Sequence, residues 1–378
     1  MIPLRKVSFV PEVYENVKRV LESGWPGMGP ETAKFEEEFA QWLGTKYAIA
    51  MNSGTEALRI AIASAEYRPG SYILSTPNTF VSTNHVILQA GHEVIFADIN
   101  PNTGSIDPCS VERILKWNLS KRPVAIMVVH YAGIPADYSA LYDLAFDYEV
   151  DIIEDCAHAC GSRIKNGRVG STAEYACFSF HAVKNLAIGD GGMLVTCNEE
   201  IAEKARKFRW LGIDKSTYER SKGYYSWEYD VPYLGYKSHM NDIMAAIGRA
   251  QLKDVDAHNI ELQRVADTYI GRLNSLSKVK LLRISCQDTS SNHLFVVRFK
   301  NSQLRQRIME EFIKHDIAYG YHYKPNYLYP IYRNCLGDRT LGMEEFYRTA
   351  LSLPIYRDLT YNQIQDICDI IMDIATEE

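Results

Sequence analysis

The chain has 378 residues, 46% of them hydrophobic and 23% charged, which is ordinary usage for a folded globular protein and too long for one small core. Its formal net charge of −6 argues against a nucleic-acid-binding surface, which would show as a clustered basic face. The N-terminal stretch has no apolar signal region, and no run approaches the ~18–20 apolar residues of a membrane span, so a cytoplasmic protein is expected.

Taken along the chain, the segment from about Gly44 to Thr196 alternates strand-like and helix-like runs. Strands are predicted at Tyr47 to Met51, Ser71 to Ser75, Glu93 to Ala97, Val124 to Val129 and Asp151 to Ile153. Helical spacing fills Ser53 to Glu66, Phe80 to Gln89 and Tyr138 to Tyr148. Continuous apolar strands separated by helices indicate parallel strands buried on both faces, and hence an α/β domain. Tyr175 to Phe180 and Met193 to Thr196 add two strands around a Gly-rich loop. Lys204-Ala205-Arg206-Lys207 reads as a solvated helix face. Arg209 to Tyr236 is an aromatic, polar excursion, and a long helix is expected from about Met240 to Leu276. Leu294 to Phe299, Gln303 to Lys314 and Tyr361 to Ala375 predict a smaller α+β domain, giving units of 1–250 and 251–378. The eight cysteines are dispersed without a CxxC pair, as reduced thiols packed as small residues would be.

In open α/β sheets ligands sit beyond the carboxyl ends of the strands, and four such places carry chemistry. Asn52-Ser53-Gly54-Thr55 opens a helix after a strand, where free N–H groups suit a phosphate, although Ser53 also suits a plain helix cap. Asp155 ends a buried strand and needs a cationic partner, either a protonated pyridine nitrogen or a structural Arg. Lys184 follows Phe178-Ser179-Phe180-His181 and precedes Gly189-Asp190-Gly191-Gly192, an unusual place for a solvated lysine. Desolvation there would make it nucleophilic, and Ser179 offers a hydroxyl. Thr76-Pro77-Asn78-Thr79-Phe80 puts an aromatic ring at another strand end. A phosphate cradle, an acid, a stacking ring and an amine together are what pyridoxal phosphate requires, with Lys184 holding it as a Schiff base. Cys156-Ala157-His158-Ala159-Cys160 lacks a usual zinc spacing, so no metal is expected.

These stretches, with Glu154-Asp155-Cys156-Ala157-His158, Gly235-Tyr236-Lys237, His322-Tyr323-Lys324-Pro325 and Leu351-Ser352-Leu353-Pro354, resemble in order and spacing the DegT-type sugar aminotransferases. That resemblance implies an aspartate-aminotransferase-like fold of type I, with a large, mostly parallel sheet flanked by helices and a smaller C-terminal α+β domain. It implies Lys184 as the Schiff-base lysine, Asp155 beside the pyridinium nitrogen, Thr55, Ser179 and the Gly54 backbone on the phosphate, and Phe80 stacked on the ring. It further implies a homodimer with shared active sites. Amino transfer from L-glutamate to a nucleotide-linked keto sugar would pass through pyridoxamine phosphate.

Three departures from the family pattern stand out. His158 replaces a common Gln at the cofactor's ring oxygen. Lys237 or His239 replaces an Asn that reaches the partner subunit's phosphate. Asn326-Tyr327 follows the segment of His322 and Tyr323, which with His181 is expected to shape the sugar pocket. Deoxygenating relatives carry His in place of the lysine, so Lys184 favours transamination; a regulator that has kept the fold is the remaining alternative. Tyr224, Tyr225, Trp227, Tyr229 and Tyr233 would line either the sugar-nucleotide entrance or a dimer interface.

Overall fold

The computed structural model describes residues 1–116, 122–215, 218 and 228–377. The apolar runs form strands β1 (Tyr47–Met51), β2 (Tyr72–Ser75), β3 (Glu93–Phe96), β4 (Pro123–Val129), β5 (Asp151–Asp155), β6 (Arg163–Ile164), β7 (Gly167–Arg168), β8 (Tyr175–Ser179) and β9 (Gly192–Thr196). Later come β10 (Val279–Leu281), β11 (Phe295–Phe299), β12 (Leu336–Gly337) and β13 (Ala350–Leu353). Eight of them make one sheet in the order β1-β9-β8-β5-β4-β2-β3-β12. From β8 to β12 every pairing is parallel. β9 alone runs against its neighbours β1 and β8, so the sheet is mostly parallel and one of the expected strands is reversed.

Burial explains why these strands read as unbroken apolar runs. In β1, Ile49 and Met51 join the core under the helices Gly54–Ala65 and Glu199–Phe208. Their alternates Ala48 and Ala50 pack on the other face with Phe35 and Phe39 of the helix Pro30–Leu43. Both faces are dry, so no position calls for a polar residue. Helix starts are set by local capping: Ser53, Asp137, Asn198 and Asn241 each accept a first-turn N–H. Of the Lys204-Ala205-Arg206-Lys207 stretch only Arg206 is fully exposed; Lys204 is half-buried, paired with Glu66 and Glu200.

The long helix Asp242–Leu273 contributes Ala245 and Val255 to the core around Phe35. Its later residues Leu262, Val265 and Tyr269 lie in a second core with β11, β13 and the helices Ser302–Lys314 and Tyr361–Glu377. The three-stranded antiparallel sheet β10-β11-β13 organises that second core. The junction between residues 250 and 251 falls inside this helix, Ile2 bridges to Ile317, and β12 joins the edge of the large sheet. All eight cysteines are free; Cys156, Cys160, Cys177 and Cys368 are core residues, whereas Cys109, Cys197 and Cys286 are exposed. Among the described residues no helix is long and apolar enough to cross a membrane.

Candidate active site

The carboxyl ends of β5 and β8 open onto a cavity of about 370 Å³, within the roughly 300–1,000 Å³ usual for small-molecule sites. One wall is the start of the helix Gly54–Ala65. Ser53 caps it, its Oγ accepting the Glu56 N–H at 3.1 Å. The helix start lies directly on the end of β8: a Cβ at Gly54 would come within 2.7 Å of the Ser179 Cβ. A Cβ at Gly192 would stand 2.4 Å from the Ser53 carbonyl, so the Gly-rich loop is needed for that approach. Thr55 and Ser179 both line the cavity, and the first-turn N–H groups of a helix have no intrahelical partners. This corner suits an anion.

Asp155 ends β5 and is only 5% exposed. Its carboxylate accepts the Thr83 hydroxyl at 2.7 Å and the Ala157 N–H at 3.1 Å, and the Thr83 hydroxyl is itself bonded to that of Thr79 at 2.7 Å. Of the two cationic partners considered from the sequence, the structural Arg is not there. Among the described residues no Lys, Arg or His nitrogen forms an ion pair with this carboxylate. Lys184 lines the same cavity. Burial pushes its pKa down to about 8, with the Asp155 charge pulling upward and the Arg5 charge downward. About a tenth of a lysine so placed is a neutral, nucleophilic amine at pH 7, far more than for an ordinary lysine.

Phe80 is the residue before the helix Val81–Gln89; it is 58% exposed and lines the cavity, its ring tilted toward Tyr323 at 6.3 Å between centroids. His158 is buried against Tyr323, with Nε2 and Oη 3.1 Å apart, and its Nδ1 accepts the Ala132 N–H at 3.3 Å. Burial, with Lys184 and His322 nearby, holds its pKa well below the usual imidazole range, so the ring is neutral. Tyr323 is positioned by its N–H to Asn78 Oδ1 at 3.2 Å. His322 faces the cavity with its Nδ1 2.8 Å from the Ser352 hydroxyl, and burial with the charges of Lys184 and Arg5 takes its pKa to about 4. His181 is exposed at the cavity mouth.

Two expected residues lie outside this cavity. Lys237 is exposed over the Trp210 ring at 5.7 Å, and His239 meets the same ring edge-on at 4.4 Å. The His239 Nδ1 is buried without a hydrogen-bond partner among the described residues. Asn326 does not shape the pocket either. It is fully buried, donating to the Thr79 carbonyl at 2.9 Å and accepting from Asn84 at 2.9 Å, and so clips its segment to the Thr79 loop. Tyr224, Tyr225 and Trp227 lie outside the described residues.

Sequence reasoning passed over Thr83, although Thr79 and Thr83 stand four apart, the spacing at which side chains meet around a helix start. Nor did it single out His130, which meets Glu154 and Cys156 behind β5. There the Glu154 carboxylate accepts from His130 Nε2 at 3.1 Å, from Tyr142 at 2.5 Å and from Tyr138. The Ala136 N–H fixes the tautomer of His130 through Nδ1. Those donors satisfy the carboxylate, and burial needs no further ligand there.

The cavity fits pyridoxal phosphate on its own residues. It holds an anion corner, an aromatic ring with an open face, a buried acid with no ion-pair partner and an amine of depressed basicity. A model of the DegT/DnrJ/EryC1/StrS aminotransferase family matches residues 9–372. The spore coat polysaccharide biosynthesis protein SpsC of Bacillus subtilis is 32% identical over 371 residues, 96% of this chain and 94% of its own. PseC of Helicobacter pylori, an aminotransferase involved in the biosynthesis of pseudoaminic acid, is 29% identical with a TM-score of 0.91, and 100% of each chain is covered. Spr1654 of Streptococcus pneumoniae, solved in a PLP form and a PMP form, is 26% identical, with TM-scores of 0.90 and 0.91. Those matches cover 100% of this chain, and 99% and 100% of Spr1654.

Proposed function

Because the chain belongs to the DegT/DnrJ/EryC1/StrS aminotransferase family, whose members are pyridoxal-phosphate-dependent transferases, we propose that it moves the amino group of L-glutamate onto a nucleotide-linked keto-deoxy sugar, at C-3 or C-4, in amino-sugar biosynthesis. The observation that carries this reading is Lys184, an amine of lowered basicity in the cavity that Asp155, Phe80 and Ser179 also line. A lysine at this position favours amino transfer over the loss of a sugar hydroxyl.

Pyridoxal phosphate, when bound, supplies a carbonyl carbon that accepts the amine and a ring that delocalises the electron pair released at the neighbouring carbon. Lys184 would hold the cofactor and then, as a neutral amine, take and return the proton at that carbon. Asp155 would keep the ring nitrogen protonated, held in line by Thr83 and the Ala157 N–H. Thr55, Ser179 and the backbone at Gly54 would bind the phosphate, with Phe80 against the ring. His158 would sit near the ring oxygen, and His181, His322 and Tyr323 would face the sugar. The chain would act in the cytoplasm as a homodimer, Lys237 or His239 reaching the other subunit's phosphate; the unpartnered His239 Nδ1 supports such a use.

A panel of nucleotide-linked keto sugars incubated with glutamate and the purified protein tests this. The expected result is 2-oxoglutarate formed in step with an amino sugar from one panel member. Release of 2-oxoglutarate with no acceptor consumed would refute the acceptor class, and a sugar that loses a hydroxyl without gaining nitrogen would favour the deoxygenating alternative.

A further inference from the structure

Arg5, near the start of the chain, is wedged behind Lys184. Its Nη1 donates to the Ile355 carbonyl at 2.9 Å. Its Nη2 donates to Asn185 Oδ1 at 3.1 Å and stands 2.6 Å from His293 Nδ1. Asn185 cannot turn its amide around, because its Nδ2 is spent on Asn259 Oδ1 at 2.8 Å and the Ser291 carbonyl at 2.7 Å. Among the described residues no carboxylate forms an ion pair with Arg5, and its Nε is buried without a partner. A buried guanidinium without a counter-ion is costly, and here only its hydrogen bonds offset that cost.

Its hydrogen bonds dictate the protons around it. At 2.6 Å from a guanidinium nitrogen, His293 Nδ1 must offer its lone pair, so the ring carries its proton on Nε2. The His293 ring lies against His158, centroids 4.2 Å apart. His158 Nδ1 is likewise an acceptor, from the Ala132 N–H. Its Nε2–H therefore points at the Tyr323 oxygen, and the Tyr323 hydroxyl hydrogen is left to turn elsewhere.

We propose that Arg5 is a positioning residue of this site: its fork on His293 and Asn185 holds the His293 imidazole in its neutral, Nε2-protonated form, and so keeps a charge away from the face of His158, whose own bonds to the Ala132 N–H and Tyr323 leave the Tyr323 hydroxyl as a hydrogen-bond donor into the cavity. Without the fork, His293 Nδ1 can take a proton and donate it to Asn185 Oδ1, 3.0 Å away. The resulting imidazolium would lie against His158 and disturb its bond to Tyr323. The other charged or titratable groups facing this wall are Lys184, Asp155 and His322 on the cavity side. On the far side is His258, set among Arg357, Asp254 and Asp358.

The test uses full-length protein labelled with ¹⁵N-histidine, as wild type, Arg5→Gln and Arg5→Lys, with imidazole nitrogen shifts followed between about pH 5 and 9. A second readout is the pH midpoint of the visible absorbance of the cofactor-loaded protein, which alone rests on the reading of Lys184 as the cofactor-bearing amine. In wild type His158 and His293 keep the neutral, Nε2-protonated form. In Arg5→Gln the His293 midpoint rises toward the ordinary value of about 6.5, and the absorbance midpoint rises because a cation beside Lys184 is gone. Arg5→Lys keeps the charge but not the fork, so the absorbance midpoint stays while His293 still begins to titrate. A folded Arg5→Gln in which both histidines remain neutral overturns the proposal. If Arg5→Gln does not fold, an unchanged His293 in Arg5→Lys overturns it. If no visible band forms in any of the three proteins, the reading of Lys184 fails, and the histidine shifts still decide the role of Arg5.

Discussion

Phe80→Ala separates a ring kept for a ligand from a ring kept for packing. With the residue 58% exposed and its ring contact to Tyr323 a loose, tilted one at 6.3 Å, its removal costs the cofactor-free fold no more than about 0.5 kcal/mol, as for other surface substitutions. Stacking between aromatic rings contributes about 0.5–1.5 kcal/mol beyond area burial, which converts to a roughly 2- to 12-fold weaker hold on pyridoxal phosphate. Two assays on the same protein read these terms: thermal unfolding of the cofactor-free form, and equilibrium titration with pyridoxal phosphate followed by absorbance. The expected pattern is an almost unchanged Tm with weakened cofactor affinity. The reverse pattern, a Tm several degrees lower with affinity intact, would refute the reasoning and make Phe80 a packing residue.

Asp155→Asn keeps its geometry, since an amide can accept from the Ala157 N–H and donate to the Thr83 hydroxyl. Removing one charge-assisted hydrogen bond of about 1.5–3 kcal/mol from the reacting state should lower kcat roughly 10- to 150-fold at nearly unchanged Tm, and wild-type turnover would exclude a role beside the ring nitrogen. Gly54→Ala forces a Cβ to within 2.7 Å of the Ser179 Cβ, an overpacking that costs about 1–3 kcal/mol; stability and cofactor affinity should fall together in calorimetry and titration. Burial lowers the pKa of His158 and His293, and takes those of His239, His258 and His322 to about 4. These rings are neutral in the fold, so their contribution is full above the unfolded value of about 6.5. It is lost as the pH falls toward 4, by up to about 1.4 kcal/mol per pH unit for each ring that stays neutral. Urea midpoints for the cofactor-free protein should therefore be lower at about pH 5.5 than at about pH 7.5, and equal midpoints would show that the histidines titrate freely.

The strand ends that carry Asp155 and Ser179 were legible because parallel strands, dry on both faces, leave continuous apolar runs that stop where the ligand begins. The reversal of β9 was not legible, since Met193, Leu194 and Val195 are buried like any parallel neighbour and the pattern carries no direction. The helices Glu12–Glu22, Pro30–Leu43 and Pro108–Leu115 went unread, although Pro at the first position of the last two, and Gly44 after Leu43, are ordinary end signals. Strands as short as β10 and β12 leave too few residues for a period to show. Of the partners expected for Asp155 the structural Arg is absent, and the Thr83 hydroxyl and the Ala157 N–H that hold its carboxylate left no signal in the sequence, because neither is a charge. The Arg5–His293 contact joins residues 288 positions apart, and only the closing of the second core on the first brings them together.

The most direct test of Lys184 as the cofactor-bearing residue is borohydride reduction of the cofactor-loaded protein, followed by mass mapping of its peptides. A pyridoxyl group on the peptide containing Lys184, and on no other, is the predicted result. A label on a different lysine, or none on a protein that still transfers amino groups, would contradict it.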